Sequence, residues 1–234
     1  MVILDTLKLV HMLLRIMLSG IGLTAISVLF IAPSLLAQQK AVDLFRLAQT
    51  GGLVVQNRTI IPLTDGSRKG IRFCAAGGDG VAWIKGIGFS NGSIELDIRG
   101  KDVLQQSFVG VAFHGINKDS VESIYFRPFN FRSTDSVRKT HAVQYIDQPD
   151  FSWERLRSER TGIFEKAIDP PPAADQWFHV RITVHYPEIK VYVNHNTSPS
   201  LTVKELSSLK EGRIGLWVGN NSDGDFANLV IDDH

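Results

Sequence analysis

Short runs in which apolar and polar side chains alternate dominate the chain from Gly51 onward. In residues 93–99, Ile94, Leu96 and Ile98 point to one side of an extended chain, and the charged residues point to the other. Glycine or asparagine interrupts these runs about every ten residues, which is the spacing of turns between short strands. Helical periodicity is scarce. The pattern therefore predicts an all-β protein, a two-sheet antiparallel sandwich.

About ten to twelve strands are expected in one domain, which suits a chain of 234 residues. The clearest predicted strands lie at residues 93–99, 108–114, 124–129, 142–146, 178–185, 189–194, 212–219 and 226–231. Residues 42–48 fit either a short helix or an initial strand, and residues 153–158 fit a short turn or helix.

The first 37 residues have the order of a secretory signal. Lys8, His11 and Arg15 precede an uncharged apolar run at residues 16–32, and the small residue Ala37 stands before a polar segment. This order predicts a signal peptide over residues 1–37 and a secreted, periplasmic or extracellular domain over residues 38–234. The alternative is an uncleaved membrane anchor, because an apolar run of about 17 residues is near the lower limit for crossing a bilayer. No stable membrane span is expected after cleavage.

Charge and cysteine content remove the reasons to propose several functional classes. The chain has 25 Lys and Arg residues against 24 Asp and Glu residues, a net charge of +1, so no nucleic-acid partner is expected. Cys74 is the single cysteine. An internal disulfide, a cysteine-based zinc cluster and a CxxC redox pair are therefore impossible.

Several of the predicted strands carry a family resemblance. They are residues 91–99, 108–114, 176–181, 191–194, 212–217 and 226–231. In composition and order these segments resemble the concanavalin A-like lectin/glucanase superfamily. Within it they are most similar to laminin-G-type modules and to 3-keto-disaccharide hydrolase-like domains. The resemblance covers about residues 43–232. It implies a concanavalin A-like jelly roll with a concave face that contacts carbohydrate, but it does not specify an activity.

Glu95 and Asp97 resemble the start of the Glu-x-Asp motif of retaining glucanases, in which a second glutamate follows. Here Arg99 and Gly100 stand where the second glutamate would be. Retaining chemistry needs two carboxyl groups about 5–5.5 Å apart, so glucanase-type catalysis is not expected. The favoured interpretation is a charged outer strand face on which Arg99 pairs with Glu95 and Asp97.

A cluster of aromatic, arginine and amide residues in the middle of the chain, with one tryptophan near its end, suits a sugar ligand. Rings can stack on the apolar face of a sugar while planar donors bond its hydroxyl groups. The candidate ligand-binding residues are Tyr125, Arg127, Asn130, Arg138, His141, Gln144, Tyr145 and Trp217. Tyr125 and Arg127 are expected to share one strand face, and His141 and Tyr145 another. The alternative is that these side chains only pack across a sheet.

A regular strand would turn Trp217 away from the inner core and into the concavity, whereas an irregular one would leave it buried in a second layer. Asn220, Asp223 and Asp225 have oxygen ligands at a spacing that could hold calcium, although turn chemistry explains the same residues. No other metal or cofactor is expected.

Two functional classes follow from these features. The first is a secreted carbohydrate-binding module without glucanase-type catalysis. The alternative is a sugar-cleaving hydrolase of the 3-keto-disaccharide hydrolase-like type, with His114, Glu122, His141 or Asp147 in catalytic roles. A surface module that binds protein is a third class.

Overall fold

The alternating segments form two antiparallel β-sheets in the computed structural model, which describes residues 39–234. The predicted signal segment, residues 1–37, lies outside the described residues. Elements are numbered β1–β15 and α1–α4 in chain order. The predicted two-sheet sandwich is confirmed. The strands exceed the expected ten to twelve because segments of two to four residues are too short to show a periodic pattern.

The first sheet, sheet A, has the order β13-β12-β11-β6-β15-β4-β3, and β1 also pairs with β15. Its strands are β1 Lys40–Val42, β3 Ile60–Asp65, β4 Arg68–Phe73, β6 Gly92–Arg99, β11 Phe178–His185, β12 Glu188–Val193, β13 Leu201–Lys204 and β15 Gly224–Asp233.

The second sheet, sheet B, has the order β10-β9-β8-β7-β14-β5-β2. Its strands are β2 Leu53–Gln56, β5 Gly80–Phe89, β7 Val109–Asn117, β8 Ser120–Phe126, β9 Val143–Gln148, β10 Glu165–Lys166 and β14 Gly212–Val218.

Four short helices join the strands. They are α1 Leu44–Thr50, α2 Pro128–Phe131, α3 Ser136–Lys139 and α4 Trp153–Glu159. The Asp43 side chain accepts from the Arg46 N–H at the start of α1, and Gly51 ends the helix in the left-handed conformation. None of the described helices is long and apolar enough to span a membrane.

The core lies between the inner faces of the two sheets. Ile94, Leu96 and Ile98 of β6 are fully buried there, as the alternation predicts. From the opposite sheet, the ring of Phe126 lies 5.2 Å from the ring of Phe178, centroid to centroid. Each large apolar side chain buried in this way contributes about 1.5–3 kcal/mol. The inner faces therefore hold the fold together, while the outer faces are free to carry polar groups.

Candidate functional site

A cleft of about 730 Å³ opens on the outer face of sheet B. Strands β8 and β14 form its floor through Tyr125 and Trp217. Leu104 of the loop before β7 and Trp153 at the start of α4 stand at its rim and are both exposed. An apolar pocket with a few convergent polar groups is the usual form of a ligand site.

Aromatic rings cover the floor of the cleft. The rings of Tyr125 and Trp217 lie 5.0 Å apart, and Phe108 packs edge-on against Tyr125 at 6.1 Å and against Phe129 at 5.4 Å. Gly110 pairs with Tyr125 on one side and with Trp217 on the other. A side chain at Gly110 would clash with the neighbouring strand, its Cβ lying 2.8 Å from that of Tyr125. The two rings therefore meet across a strand position that must be glycine.

Arg127 lies beside Tyr125 in the cleft and orders the polar groups around it. Its Nη2 donates to the Tyr125 hydroxyl at 2.7 Å and to Oε1 of Gln144. Its Nη1 donates to the carbonyl of His141 at 2.9 Å. Only 4% of Arg127 is exposed, so these bonds are shielded from water.

Glu165 is the acidic partner of this arginine, and sequence reasoning missed it. Arg157 donates to both of its carboxylate oxygens, at 2.9 and 2.8 Å, and Nδ1 of His141 lies 2.8 Å from Oε2. Burial would raise the pKa of Glu165, but the contacts with Arg157, His141 and Arg127 outweigh it and hold the pKa below its usual value. Glu165 is therefore an ionised anchor for the cationic side of the cleft.

Arg157 and Trp153 reach the cleft from one face of α4, and sequence reasoning missed Arg157 as a site residue. They stand four residues apart, so they are neighbours on the helix surface. The guanidinium of Arg157 lies 4.9 Å from the centroid of the Trp153 ring. Because Arg157 is also bound to Glu165, the exposed ring is held at the rim.

Two buried donors of the floor have no hydrogen-bond partner among the described residues. They are Nε1 of Trp217 and Nε2 of Gln144. Leaving a buried donor without a partner costs about 1–3 kcal/mol, so such groups normally find an acceptor. Trp217 is one of the residues that line the cleft, so this unsatisfied donor belongs to the ring that forms its floor.

Two titratable side chains of the cleft wall have shifted pKa values. Burial raises the pKa of Asp79, and the bond from Gln148 offsets only part of that effect. Burial lowers the pKa of His141 although Glu165 favours the charged form. His141 therefore loses its proton at a lower pH than an exposed imidazole does, and Asp79 holds its proton at a higher pH than an exposed carboxyl group does.

Six of the candidate ligand-binding residues line the cleft together: Tyr125, Arg127, Asn130, Arg138, His141 and Trp217. Gln144 lies fully buried beside Tyr125, whose hydroxyl donates to it at 3.1 Å. Tyr145 is different, because its hydroxyl donates to Glu122 on the inner face of sheet B. The prediction that His141 and Tyr145 share a face is therefore wrong. Trp217 turns outward despite a bulge in β14 between Arg213 and Gly215.

Three of the catalytic candidates lie away from the cleft. His114, Glu122 and Asp147 are on β7, β8 and β9, and Glu122 pairs with Asp147 on the inner face of sheet B. Nδ1 of His114 lies 2.8 Å from Oε1 of Glu122. Burial lowers the pKa of His114, but its contacts with the carboxylates of Glu122 and Glu205 outweigh burial and raise it. Of the catalytic candidates, His141 is the one that lines the cleft.

The calcium candidates are directed to different partners. Asp225 binds Arg72 at 2.6 Å and Arg99 at 2.7 Å, and Asp223 pairs with Lys101. The Asn220 side chain accepts from the Gly78 N–H at 2.8 Å. The structure does not bring the three side chains together as ligands, because positive side chains already neutralise both carboxylates.

The outer face of sheet A carries the charged residues of β6. Asp97 contacts Arg68 at 3.1 Å and His179 at 3.0 Å, and Glu95 lies 3.4 Å from the same histidine. Arg99 pairs with Asp225 and Asp65. The expected pairing of Arg99 with Glu95 and Asp97 is therefore wrong. The register places Asp225 directly opposite Arg99, and cross-strand neighbours are closer than residues two apart on one strand.

The comparisons with known proteins agree with this fold. The carbohydrate-binding module CBM66 from Bacillus subtilis superposes with a TM-score of 0.55 at 16% identity, covering 76% of this chain and 93% of that chain. A protein of unknown function with a galectin-like fold from Bacillus subtilis gives a TM-score of 0.54 at 11% identity, covering 82% and 97%. The Ca²⁺/Man3GlcNAc-bound exoplasmic/lumenal domain of VIP36 gives 0.52 at 9% identity, covering 80% and 86%.

These similarities confirm the predicted fold, a two-sheet antiparallel jelly-roll sandwich. At such low identity they define the fold and not the activity. No protein-family model matches the sequence, and no curated protein matches it significantly.

Proposed function

We propose that the protein is a carbohydrate-binding module whose ligand occupies the cleft on the outer face of sheet B. The observation that carries this proposal is the indole N–H of Trp217, a donor without a partner among the described residues, on an aromatic floor. A sugar offers both an apolar ring face and hydroxyl oxygens that accept hydrogen bonds. Two of the three similar structures described above, CBM66 and VIP36, are named as a carbohydrate-binding module and as a mannose-containing complex, which supports the same ligand class.

Different parts of the cleft can make different contacts with a sugar. At the rim, the half-exposed ring of Trp153 can stack on a sugar ring. On the wall, Asn130 and Arg138 can bond hydroxyl groups, with Arg138 held by a 2.9 Å bond to the carbonyl of Phe129. Arg127 already donates to Tyr125 and Gln144, so its main role in this proposal is to position those two side chains.

The decisive experiment is a glycan array followed by a titration of the best glycan. We expect binding, and we expect Trp217→Phe, which keeps a ring but removes the N–H donor, to weaken it about 2- to 12-fold, the loss of one net hydrogen bond. The matched control is Trp177→Phe, because Trp177 donates its indole N–H to Asp65 at 2.7 Å on the outer face of sheet A. Equal loss of affinity in both variants, or no binding to any glycan, would contradict the proposal.

A sugar-cleaving hydrolase is the second candidate. It is favoured by Asp79, a carboxyl group of the cleft wall with a raised pKa, and by His141, an imidazole with a lowered pKa in the same cleft. One could donate a proton and the other accept one. A hydrolysis screen that includes 3-keto sugars tests this class, and Asp79→Asn should then abolish cleavage while glycan binding remains.

Export from the cytosol belongs to the same proposal. It is supported by the basic start, the apolar run and the small residue Ala37 at the end of the predicted signal. We expect the exported protein to begin at Gln38. A protein that retains Met1 would instead be anchored to a membrane.

A further inference from the structure

Three buried side chains meet between the two sheets, at a place separate from the cleft. His114 of β7 and Glu122 of β8 come from sheet B, and Glu205 directly follows β13 of sheet A. Nδ1 of His114 lies 2.8 Å from Oε1 of Glu122 and 3.2 Å from Oε1 of Glu205. The side chains of both glutamates are 0% exposed, so water does not screen their charges.

The hydrogen bond on the far side of the imidazole determines how His114 meets the two carboxylates. Its Nε2 lies 2.7 Å from the carbonyl oxygen of Ser90. A carbonyl oxygen only accepts, so Nε2 carries a hydrogen, and the lone pair of a neutral imidazole is then on Nδ1. Nδ1 would then direct a lone pair at two oxygen atoms that also carry lone pairs. This arrangement needs a positive charge between the three atoms, which either a proton on Nδ1 or a metal ion can supply.

Of the three side chains, Glu205 is the one whose carboxylate lacks a hydrogen-bond partner in the part of the chain that the structure describes. Neither of its carboxylate oxygens makes a hydrogen bond within the described residues. The nearest lysine nitrogen, Nζ of Lys210, is 3.5 Å from Oε1. A buried carboxylate is stable only when it is paired or coordinates a metal. Oε1 of Glu205 lies 3.2 Å from Nδ1 of His114, and Glu122, the third potential ligand, contacts the same nitrogen.

We propose that His114, Glu122 and Glu205 bind a divalent transition-metal ion of the zinc type. Their nearest ligand atoms lie within 4.8 Å of one another. In a tetrahedral site with bonds of about 2.0–2.1 Å, neighbouring ligand atoms are about 3.3 Å apart, close to the 2.8 and 3.2 Å observed. Calcium fits less well, since it prefers six to eight oxygen ligands to a nitrogen.

The surroundings of the three ligands also match a metal site. Histidine ligands usually donate their other N–H to a carbonyl, and carboxylate ligands are usually hydrogen-bonded in turn. Ser90 accepts from His114, and the hydroxyl of Tyr145 donates to Oε2 of Glu122. The same hydroxyl accepts from the Leu206 N–H at 3.0 Å, next to Glu205. An ion here would tie the end of β13 to the two central strands of the other sheet.

Zinc uptake during refolding tests the proposal directly. The full chain is unfolded with a chelator present, refolded with or without one equivalent of Zn²⁺, and freed of loose metal by gel filtration. We expect one zinc ion per chain by elemental mass spectrometry. We also expect a thermal midpoint about 5–10 °C higher than that of the metal-free protein. If refolding fails, the metal content of protein purified without chelator decides instead.

Glu205→Gln and Glu95→Gln form a matched pair for this experiment. Glu95 also lies beside a histidine, but on the outer face of sheet A. Glu205→Gln should bind no zinc and show the same midpoint with and without it, whereas Glu95→Gln should behave as the wild type. Should Glu205→Gln not fold, Glu122→Gln serves in its place, and the wild-type zinc content decides if neither folds.

Two results would overturn the proposal. A wild-type protein that takes up no zinc and shows no shift in midpoint would mean that a proton on His114 joins the two carboxylates. Zinc retained equally by Glu205→Gln would mean that the ion binds elsewhere.

Discussion

On the outer face of sheet A the indole N–H of Trp177 donates to Asp65 at 2.7 Å, whereas on the outer face of sheet B the indole N–H of Trp217 has no partner in the described part of the chain. Both faces carry tryptophan, arginine, histidine and carboxylate side chains. On sheet A these groups satisfy one another. On sheet B, the buried donors Nε1 of Trp217 and Nε2 of Gln144 have no hydrogen-bond partner among the described residues. A binding site is therefore indicated by unmet hydrogen-bonding capacity and not by residue types.

Arg72 on sheet A and Arg127 on sheet B differ in exposure as well. The side chain of Arg72 is 43% exposed on sheet A, and that of Arg127 is 5% exposed on sheet B. An exposed ion pair contributes little to stability, whereas removing one partner of a buried network leaves the others without partners. The comparison between the faces can therefore be tested by stability as well as by binding.

The largest effect is expected for Arg127→Ala. The change removes the guanidinium that donates hydrogen bonds to Tyr125, Gln144 and the His141 carbonyl. We therefore expect the free energy of unfolding to fall by about 3 kcal/mol. The thermal midpoint should fall by roughly 6–12 °C. Arg72→Ala is the control, with a loss of at most about 1 kcal/mol because Arg99 still neutralises Asp225. Similar losses in calorimetry would remove the difference between the faces.

Acid should weaken the charged cluster of sheet A. Burial raises the pKa of Asp97, but bonds from His179, Asn228 and Arg68 outweigh it and lower the pKa to about 2. The unfolded value is about 3.9, so this stability is present above pH 4 and lost as the pH falls toward 2. Urea unfolding at pH 7 should show Asp97→Asn to be less stable by about 1–2 kcal/mol, allowing for partial exposure.

The difference between Asp97→Asn and the wild type should shrink steadily between pH 4 and pH 2. A difference that stays constant over this range would mean that the carboxylate charge is not what stabilises the cluster.

Removing the aromatic side chain at the rim of the cleft should weaken glycan binding without affecting folding. Trp153→Ala removes a half-exposed ring, so we expect glycan affinity to fall about 2- to 12-fold, with an unchanged thermal midpoint. Tyr186→Ala removes another exposed ring, one outside the cleft, and should leave affinity unchanged. Isothermal titration of both variants with the same glycan measures the contrast. Equal affinities would place the ligand away from α4.

The smallest effect is expected for Glu95→Gln. Glu95 lies on the outer face of sheet A and contacts His179 at 3.4 Å, so its loss should cost at most about 1 kcal/mol. Glycan affinity and any hydrolysis should be unchanged. A thousandfold loss of a measured glycosidase activity in a normally folded variant would instead make Glu95 the nucleophile that the glucanase motif suggests.

The sequence predicts which side chains of a strand face the core when one face of that strand is uniformly apolar. It does not do so when both faces carry apolar side chains. In β6 the alternation correctly predicts that Ile94, Leu96 and Ile98 face the core. In β9, Val143 and Tyr145 alternate with Gln144 and Ile146, so each face carries apolar side chains and the pattern cannot distinguish them. The prediction that His141 shares a face with Tyr145 also fails because β9 begins at Val143, so strand alternation does not extend to His141.

What the sequence determined by itself is the alternation of strands and turns, and with it the two-sheet sandwich. Successive side chains of an extended chain point to opposite faces whatever their neighbours are. Which polar groups meet was decided by strand order. Arg99 is separated from Asp225 by 126 residues, and Glu165 reaches Arg127 from a strand of two residues. Such contacts form only when the folded sheets bring distant segments together, so local sequence patterns cannot predict them.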